Sequence, residues 1–254
     1  MTFENKYVLI TGGSDGIGFG LAKRFLLAGS NVLITGRKEN KLKEIKADFP
    51  KMNIFKNDLK NQTGREELAN HIINDFPDLD ILINNAGIQR RIPLAIDNTN
   101  WQERQSEIDI LLSAPIHLNH LLIPLLIRKN KNSLIVNVTS GMAYTPLPFA
   151  PVYSACKAAL HSYTMNLRYS LSKTNCRVVE LIPPAVQTSL GGAVPHGVPL
   201  NEFCDSVFAE LSDDGKTDIG FDFTANLTFE LTGKPQKEVF ENNANRFPVK
   251  LYSC

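Results

Sequence analysis

Short runs of aliphatic and β-branched residues alternate along the chain with segments whose apolar positions recur about every 3.6 residues. Tyr7–Thr11, Asn31–Thr35, Asn53–Phe55, Ile81–Asn84, Leu134–Thr139 and Val178–Ile182 carry apolar side chains on successive positions, the pattern of strands buried on both faces of a parallel sheet. Helical periodicity fills the gaps at residues 17–28, 39–49, 63–76, roughly 98–129, and 152–173, each long enough to cross from one parallel strand to the next. The repeated alternation predicts an α/β chain, a Rossmann-like doubly wound parallel sheet with helices on both faces. No linker, internal repeat or low-complexity tract interrupts it, so residues 1–254 read as a single domain.

After Thr188 the pattern loosens. The run Gly191-Gly192-Ala193-Val194-Pro195-His196-Gly197-Val198-Pro199 is loop-like, and two readings fit it: a lid around 188–211 that closes over a ligand, or a plain surface loop. An amphipathic helix is expected near 202–211, an edge strand at Thr217–Phe223, and a helical stretch towards Cys254. The longest apolar stretch, Ile108 to Ile127, is near membrane-spanning length, but Asp109, Pro115, His117, Asn119, His120 and Pro124 interrupt it. A buried or subunit-facing helix is the better reading, and no membrane partner is expected.

A length of 254 residues with 43% hydrophobic content supplies a sizeable core. The net charge of +1 gives no global field to attract nucleic acid or an anionic membrane, and the aromatics do not interleave with basic residues. Thr2 to Lys6 carries neither a basic nor an apolar signal region, and a cytoplasmic location is expected. Cys156, Cys176, Cys204 and Cys254 are scattered without metal-ligand spacing and read as reduced thiols. His117, His120 and His161 lack acidic or cysteine partners at ligand spacing, so no metal site is expected.

The chemistry concentrates in two motifs. The loop Thr11-Gly12-Gly13-Ser14-Asp15-Gly16-Ile17-Gly18 follows the first strand and opens the first helix, where glycines let backbone N–H groups approach a pyrophosphate at the positive helix end. Its spacing, G-x-x-x-G-x-G, departs from the common G-x-G-x-x-G fingerprint. Downstream, Tyr153 and Lys157 stand at i, i+4, thirteen residues after Ser140. On a helix that spacing sets phenol and ammonium on one face, where the cation is expected to pull the tyrosine pKa down towards a value useful for acid/base work, with Ser140 holding a substrate oxygen. Together the motifs point to a nucleotide-dependent oxidoreductase.

These residues resemble the short-chain dehydrogenases/reductases from Tyr7 to about Thr188, in order: the glycine loop, Asp58 after the third strand, Asn84-Asn85-Ala86-Gly87 after the fourth, Ser140, Tyr153, Lys157, and Pro183 to Thr188. Glu107 to Leu118 and the tail around Phe203 to Ile219 look most like bacterial oxidoreductases named after the D-alanyl lipoteichoic acid operon. The resemblance implies that Gly12, Ser14, Asp15, Gly16, Ile17 and Gly18 bind the cofactor, as do Asp58, which would contact the adenine, and its neighbour Leu59. It assigns Asn85, Ala86 and Gly87 to the adenosine side, Val186 and Thr188 to the nicotinamide carboxamide, and Lys157 also to the nicotinamide ribose. Ser140, Tyr153 and Lys157 become the catalytic set for hydride transfer to a small or medium carbonyl or from an alcohol. The helices at 108–129 and 152–173 become a homodimer or homotetramer interface.

One position departs from the family. Leu111 stands where an asparagine normally completes an Asn-Ser-Tyr-Lys tetrad and helps seat a water against the lysine. A leucine side chain offers no hydrogen bond. Because the family's contact there is made by the main chain, a local helix distortion at Leu111 would preserve the relay; the alternative is a cofactor-binding regulatory or structural protein with little turnover. An extended-type epimerase or dehydratase fits less well, since such chains are longer and carry G-x-x-G-x-x-G.

Charge sets the expected cofactor. At the end of the second strand, where a carboxylate would bind a ribose 2′-OH, the chain has Gly36 followed by Arg37 and Lys38, which favours the 2′-phosphate of NADP over NAD. Asp15 argues the other way, and Arg37, Lys38, Lys41 and Lys43 also read as the solvated face of a helix. Arg90 and Arg91 fit either surface solvation or contact with an anionic substrate.

Overall fold

The structure is a computed structural model that describes residues 1–128, 132–191, 196–226, 242 and 245–248. Among them seven strands form one parallel sheet in the order β3-β2-β1-β4-β5-β6-β7. These are β1 (Tyr7–Ile10), β2 (Asn31–Gly36), β3 (Asn53–Lys56), β4 (Leu79–Asn84), β5 (Ser133–Val138), β6 (Cys176–Ile182) and β7 (Asp218–Gly220). The crossovers are α1 (Gly16–Leu27), α2 (Glu39–Asp48), α3 (Gln62–Asp75), α4 (Trp101–Ile108) continuing into α5 (Ala114–Arg128), α6 (Pro151–Ser170) and α7 (Leu200–Leu211). The chain runs outward from β1 to β3, then returns to lay β4 against the other side of β1. That reversal opens a crevice at the strands' carboxyl ends.

Both faces of the sheet are covered, which is why the strands read as continuous apolar runs. Val8, Ile10, Val32, Ile34, Ile81 and Ile83 pack towards α1, α2 and α7, whereas Leu9, Leu33 and Leu82 between them pack towards α3, α5 and α6. α7 belongs to the first layer. Its residues Phe203, Cys204, Val207 and Leu211 are buried, and Cys204 fits over Gly20 of α1. Residues 200–211 of the lid expected around 188–211 are therefore a core helix instead. Between 196 and 199 the loop is tied back by main-chain bonds Gln187 N to Val198 O (3.0 Å) and Val198 N to Ala185 O (2.9 Å).

Of the boundaries that differ from expectation, three have a cause in the contacts around them. β4 begins two residues early, since the buried Asp80 carboxylate accepts from Tyr7 N at 3.0 Å and pairs with Lys6 at 3.7 Å. The long helix starts at Trp101, capped by Asn100, whose side chain accepts from Glu103 N at 3.1 Å. β7 stops at Gly220, where Asp222 takes φ +54° and Thr224 Oγ1 donates to Ile182 O at 2.7 Å. The helical stretch expected towards Cys254 lies, but for a few residues, outside the described ones, as does Cys254 itself; Cys156, Cys176 and Cys204 are buried free thiols. The segment Trp101–Arg128 is long and apolar enough to cross a membrane, and half of its most apolar window is buried inside this protein.

Candidate active site

The crevice is a 1410 Å³ cleft, lined by every residue expected from the sequence to bind cofactor except Gly18, and by Ser140. Its floor is fixed by one threonine. Thr11, at the end of β1, accepts at Oγ1 from Asn85 N (3.0 Å) and Ala86 N (3.1 Å), and Asn85 Nδ2 returns a bond to Thr11 O at 2.9 Å. Gly12 takes φ +62°, and a Cβ there would meet Ala86 Cα at 2.8 Å, so the loop can lie this close to the Asn84–Gly87 turn only as glycine. Gly18 serves another purpose than expected. A Cβ at that residue would strike Asn85 Nδ2 at 2.4 Å, so it seats α1 against the turn instead of facing the cleft.

Asp15 caps α1, accepting from Gly16 N at 2.8 Å, and reaches both Ser189 Oγ (2.8 Å) and Lys41 Nζ (3.0 Å). Burial pushes its carboxyl up, but the bonds from Ser189, Lys41 and Gly16 outweigh that and hold it below the usual carboxylate range. Its charge is thus paired at the place where it counted against a phosphate. Farther along, Arg37 and Lys38 are exposed and line the cleft, and neither meets a carboxylate among the described residues.

Ser140 ends the run from β5 and caps the turn Gly141–Ala143, its Oγ accepting from Met142 N at 3.1 Å. Pro151 opens α6, a favoured first helical position, which sets Tyr153 and Lys157 on the first turns facing Ser140. The Tyr153 hydroxyl faces the Ser140 side chain, which favours the ionised phenol. Lys157 Nζ donates to Val138 O at 2.6 Å and lies 5.6 Å from the Tyr153 ring centre. Burial dominates both titrations in the chain by itself. It pushes Tyr153 up to about 12, with Ser140 opposing and Glu107 adding to the rise, and it takes Lys157 down to about 8. The lowering of the phenol expected from the cation is not found: burial sets the direction of the shift, and Lys157 is not among its causes. At neutral pH the phenol therefore carries its proton and the lysine is still mostly charged.

Leu111 lies within a π turn, Asp109–Ser113, where Ala114 N donates to Asp109 O, five residues back. The distortion expected to preserve the relay is present. Leu111 and Lys157 share a cavity of about 10 Å³ with Thr11, Asn84 and Ala114, roughly one water in size. Asn84 Nδ2 donates to Asn119 Oδ1 and Asn137 Oδ1, both at 2.9 Å, while its buried Oδ1 has no donor among the described residues. The cavity is thus polar without help from residue 111. Leu111→Asn is expected to change kcat by no more than about threefold. A gain of about tenfold or more in steady-state assays would show that the missing side chain, not the turn, limits the relay.

Sequence reasoning missed the polar residues buried in strands. Glu180, fully buried on β6, accepts from Thr139 Oγ1 (2.7 Å) and Tyr144 OH (3.1 Å) and pairs with His161 Nδ1 (2.7 Å), bracing the turn that carries Ser140. The Glu180 bond raises the His161 pKa against the cost of burial. A carboxylate in an otherwise aliphatic strand was the available signal. His117 accepts from Arg65 Nε at 3.1 Å. Arg90 and Arg91 part company: Arg90 is held by Thr99 and Glu103, and only Arg91 lines the cleft.

Residues 6–198 match the model of the short chain dehydrogenase family. The uncharacterized oxidoreductase DltE of Bacillus subtilis strain 168 is 39% identical over 226 residues, covering 86% of this chain and 89% of that one. The NADP-dependent 3-hydroxy acid dehydrogenase YdfG of Escherichia coli K12 is 29% identical over 224 residues, 88% of this chain and 84% of its own. Among solved structures, a short chain dehydrogenase from Burkholderia cenocepacia J2315 in complex with NADP superposes with TM-score 0.82 at 24% identity, covering 98% of this chain and all of that one.

Proposed function

Since the chain belongs to the short-chain dehydrogenase family, we propose that this oxidoreductase uses NADP(H) to reduce a small or medium carbonyl compound, with Tyr153 as proton donor. The observation that carries the reading is the Ser140–Tyr153–Lys157 set, buried together at the carboxyl end of the sheet. A bound nicotinamide would supply the hydride. Ser140 holds the carbonyl oxygen beside the Tyr153 hydroxyl, Tyr153 delivers its proton as charge develops on that oxygen, and Lys157 stabilises the phenolate that results. A phenol raised to about 12 is a proton donor at neutral pH, so the site by itself favours reduction over oxidation.

The residues fit a dinucleotide. Gly12 opens room beside Ala86, Asp15 is paired with Lys41, and Arg37 and Lys38 bring unneutralised charge to the adenosine end, which supports NADP over NAD. Val186 and Thr188 would border the nicotinamide end, and Ser189, Leu190 and His196, which line the cleft, belong to the segment expected to act as a lid. The π turn at Leu111 supports turnover rather than cofactor storage.

Oligomers form, on this reading, through the outer faces of α4–α5 and α6, where Trp101, Ile127, Met165 and Tyr169 are exposed. Light scattering at micromolar concentration should give a dimer or tetramer. The near-neutral charge fits a cytoplasmic enzyme with neither nucleic acid nor membrane as partner. The direct test is NADPH consumption across aldehydes, ketones and quinones. Turnover of at least one class is the expected result; none, with NADPH binding demonstrated by fluorescence, would replace this reading with cofactor binding alone.

A further inference from the structure

At the end of the cleft away from Arg37, two guanidinium groups flank a pair of aromatic rings. Arg91 lies 5.3 Å from the ring centre of Phe149, Phe149 meets Phe247 edge-on at 5.6 Å, and Arg246 lies 5.3 Å from Phe247. Arg91 Nη2 is also 3.4 Å from His196 Nε2. Among the described residues neither arginine meets a carboxylate, and the only acids lining the cleft, Asp15 and Asp58, are at the cofactor end. Two like charges gathered round an apolar wall, with no carboxylate among the described residues to neutralise them, raise the affinity for an anion.

The position of Arg91 relative to the reacting group is set by three contacts. Arg91 Nε donates to Gln89 Oε1 at 2.9 Å, Gln89 Nε2 to Met142 Sδ at 3.6 Å, and Met142 N to Ser140 Oγ at 3.1 Å. The guanidinium is therefore held on the same wall as Ser140 but two side chains removed from it. Building on the oxidoreductase reading, we propose that the substrate is an oxoacid whose carbonyl sits at Ser140 and whose anionic group, separated by several apolar carbons, binds at Arg91 and Arg246. Phe149, Phe247 and Met142 line the path of the spacer. Arg91 is then a specificity residue that acts on the distal charge, not on the reacting atoms.

The test compares adipic semialdehyde and succinic semialdehyde with their methyl esters, in the wild type and in Arg91→Met. The wild type should prefer adipic semialdehyde to its ester by about tenfold or more in kcat/KM, and the preference should be weaker for the shorter pair. In Arg91→Met the acid-to-ester ratio should fall to within about threefold of one. Ester turned over as fast as acid by the wild type overturns the anion site while leaving the reductase intact. Thermal stability supplies a readout free of turnover: octanoate should raise the melting temperature of the NADP-loaded wild type more than octanamide does. Equal shifts, or none, overturn the anion site even if no aldehyde in the panel reacts, whereas absence of turnover together with a carboxylate-specific shift faults only the reductase reading.

Discussion

Tyr153→Phe is expected to lower kcat by about 10² to 10⁴ while leaving NADPH affinity within about threefold of wild type. Tyr153 is packed among Leu111, Ala150 and Cys156, and the ring of phenylalanine preserves those contacts. On the proposed mechanism, what disappears is the proton donor to an oxygen held by Ser140. Ser140 cannot substitute, because without the phenol its hydroxyl has no proton source behind it. Lys157 Nζ donates to Val138 O and stands 5.6 Å from the Tyr153 ring centre, where it supports the phenol without replacing it. Ser140 Oγ keeps its bond from Met142 N in the variant, so melting temperature, recorded beside activity, should stay close to wild type. Single-turnover kinetics with NADPH bound will isolate the chemical step. Retention of more than about a tenth of the wild-type rate would remove Tyr153 as the acid.

Arg37→Glu should reverse the cofactor preference, lowering kcat/KM for NADPH by about a hundredfold or more and leaving NADH nearly unaffected. A Cβ at Gly36 would meet Ser14 Oγ at 2.7 Å, and with glycine there residue 37 is the first after β2 able to present a charge to the ribose. Lys41 cannot compensate while it pairs with Asp15 at 3.0 Å, and Lys38 lacks the planar fork that grips a phosphate at two points. Arg37 is exposed, and the difference between cofactors should shrink as salt rises. Equal kcat/KM for NADH and NADPH in the wild type would overturn the NADP assignment outright.

The glycine loop and the Ser140/Tyr153/Lys157 spacing were legible because each depends on neighbours close in sequence: a strand end, a helix start, one helical turn. The early start of β4 was not, since Asp80 reads as a break in an apolar strand until Tyr7 N and Lys6 are found beside it. Gly18 read as a phosphate glycine for the same reason, its true neighbour Asn85 being far along the chain. The extent of the lid was misread because the amphipathic pattern at 202–211 cannot say which surface its apolar face will meet. Packing against α1 makes it core.

The sequence by itself determined the alternation of strands and helices, the parallel sheet and its loop-to-helix junction, because apolar periodicity and glycine placement act locally. Only the tertiary structure decided the electrostatics. It buried Tyr153 and Lys157 together, so that desolvation moved both titrations towards the neutral forms. It sent Arg90 to Glu103 and Arg91 to the cleft, although the two are adjacent in the chain. Charge acts through distance and dielectric, and both are set by which distant segments fold together.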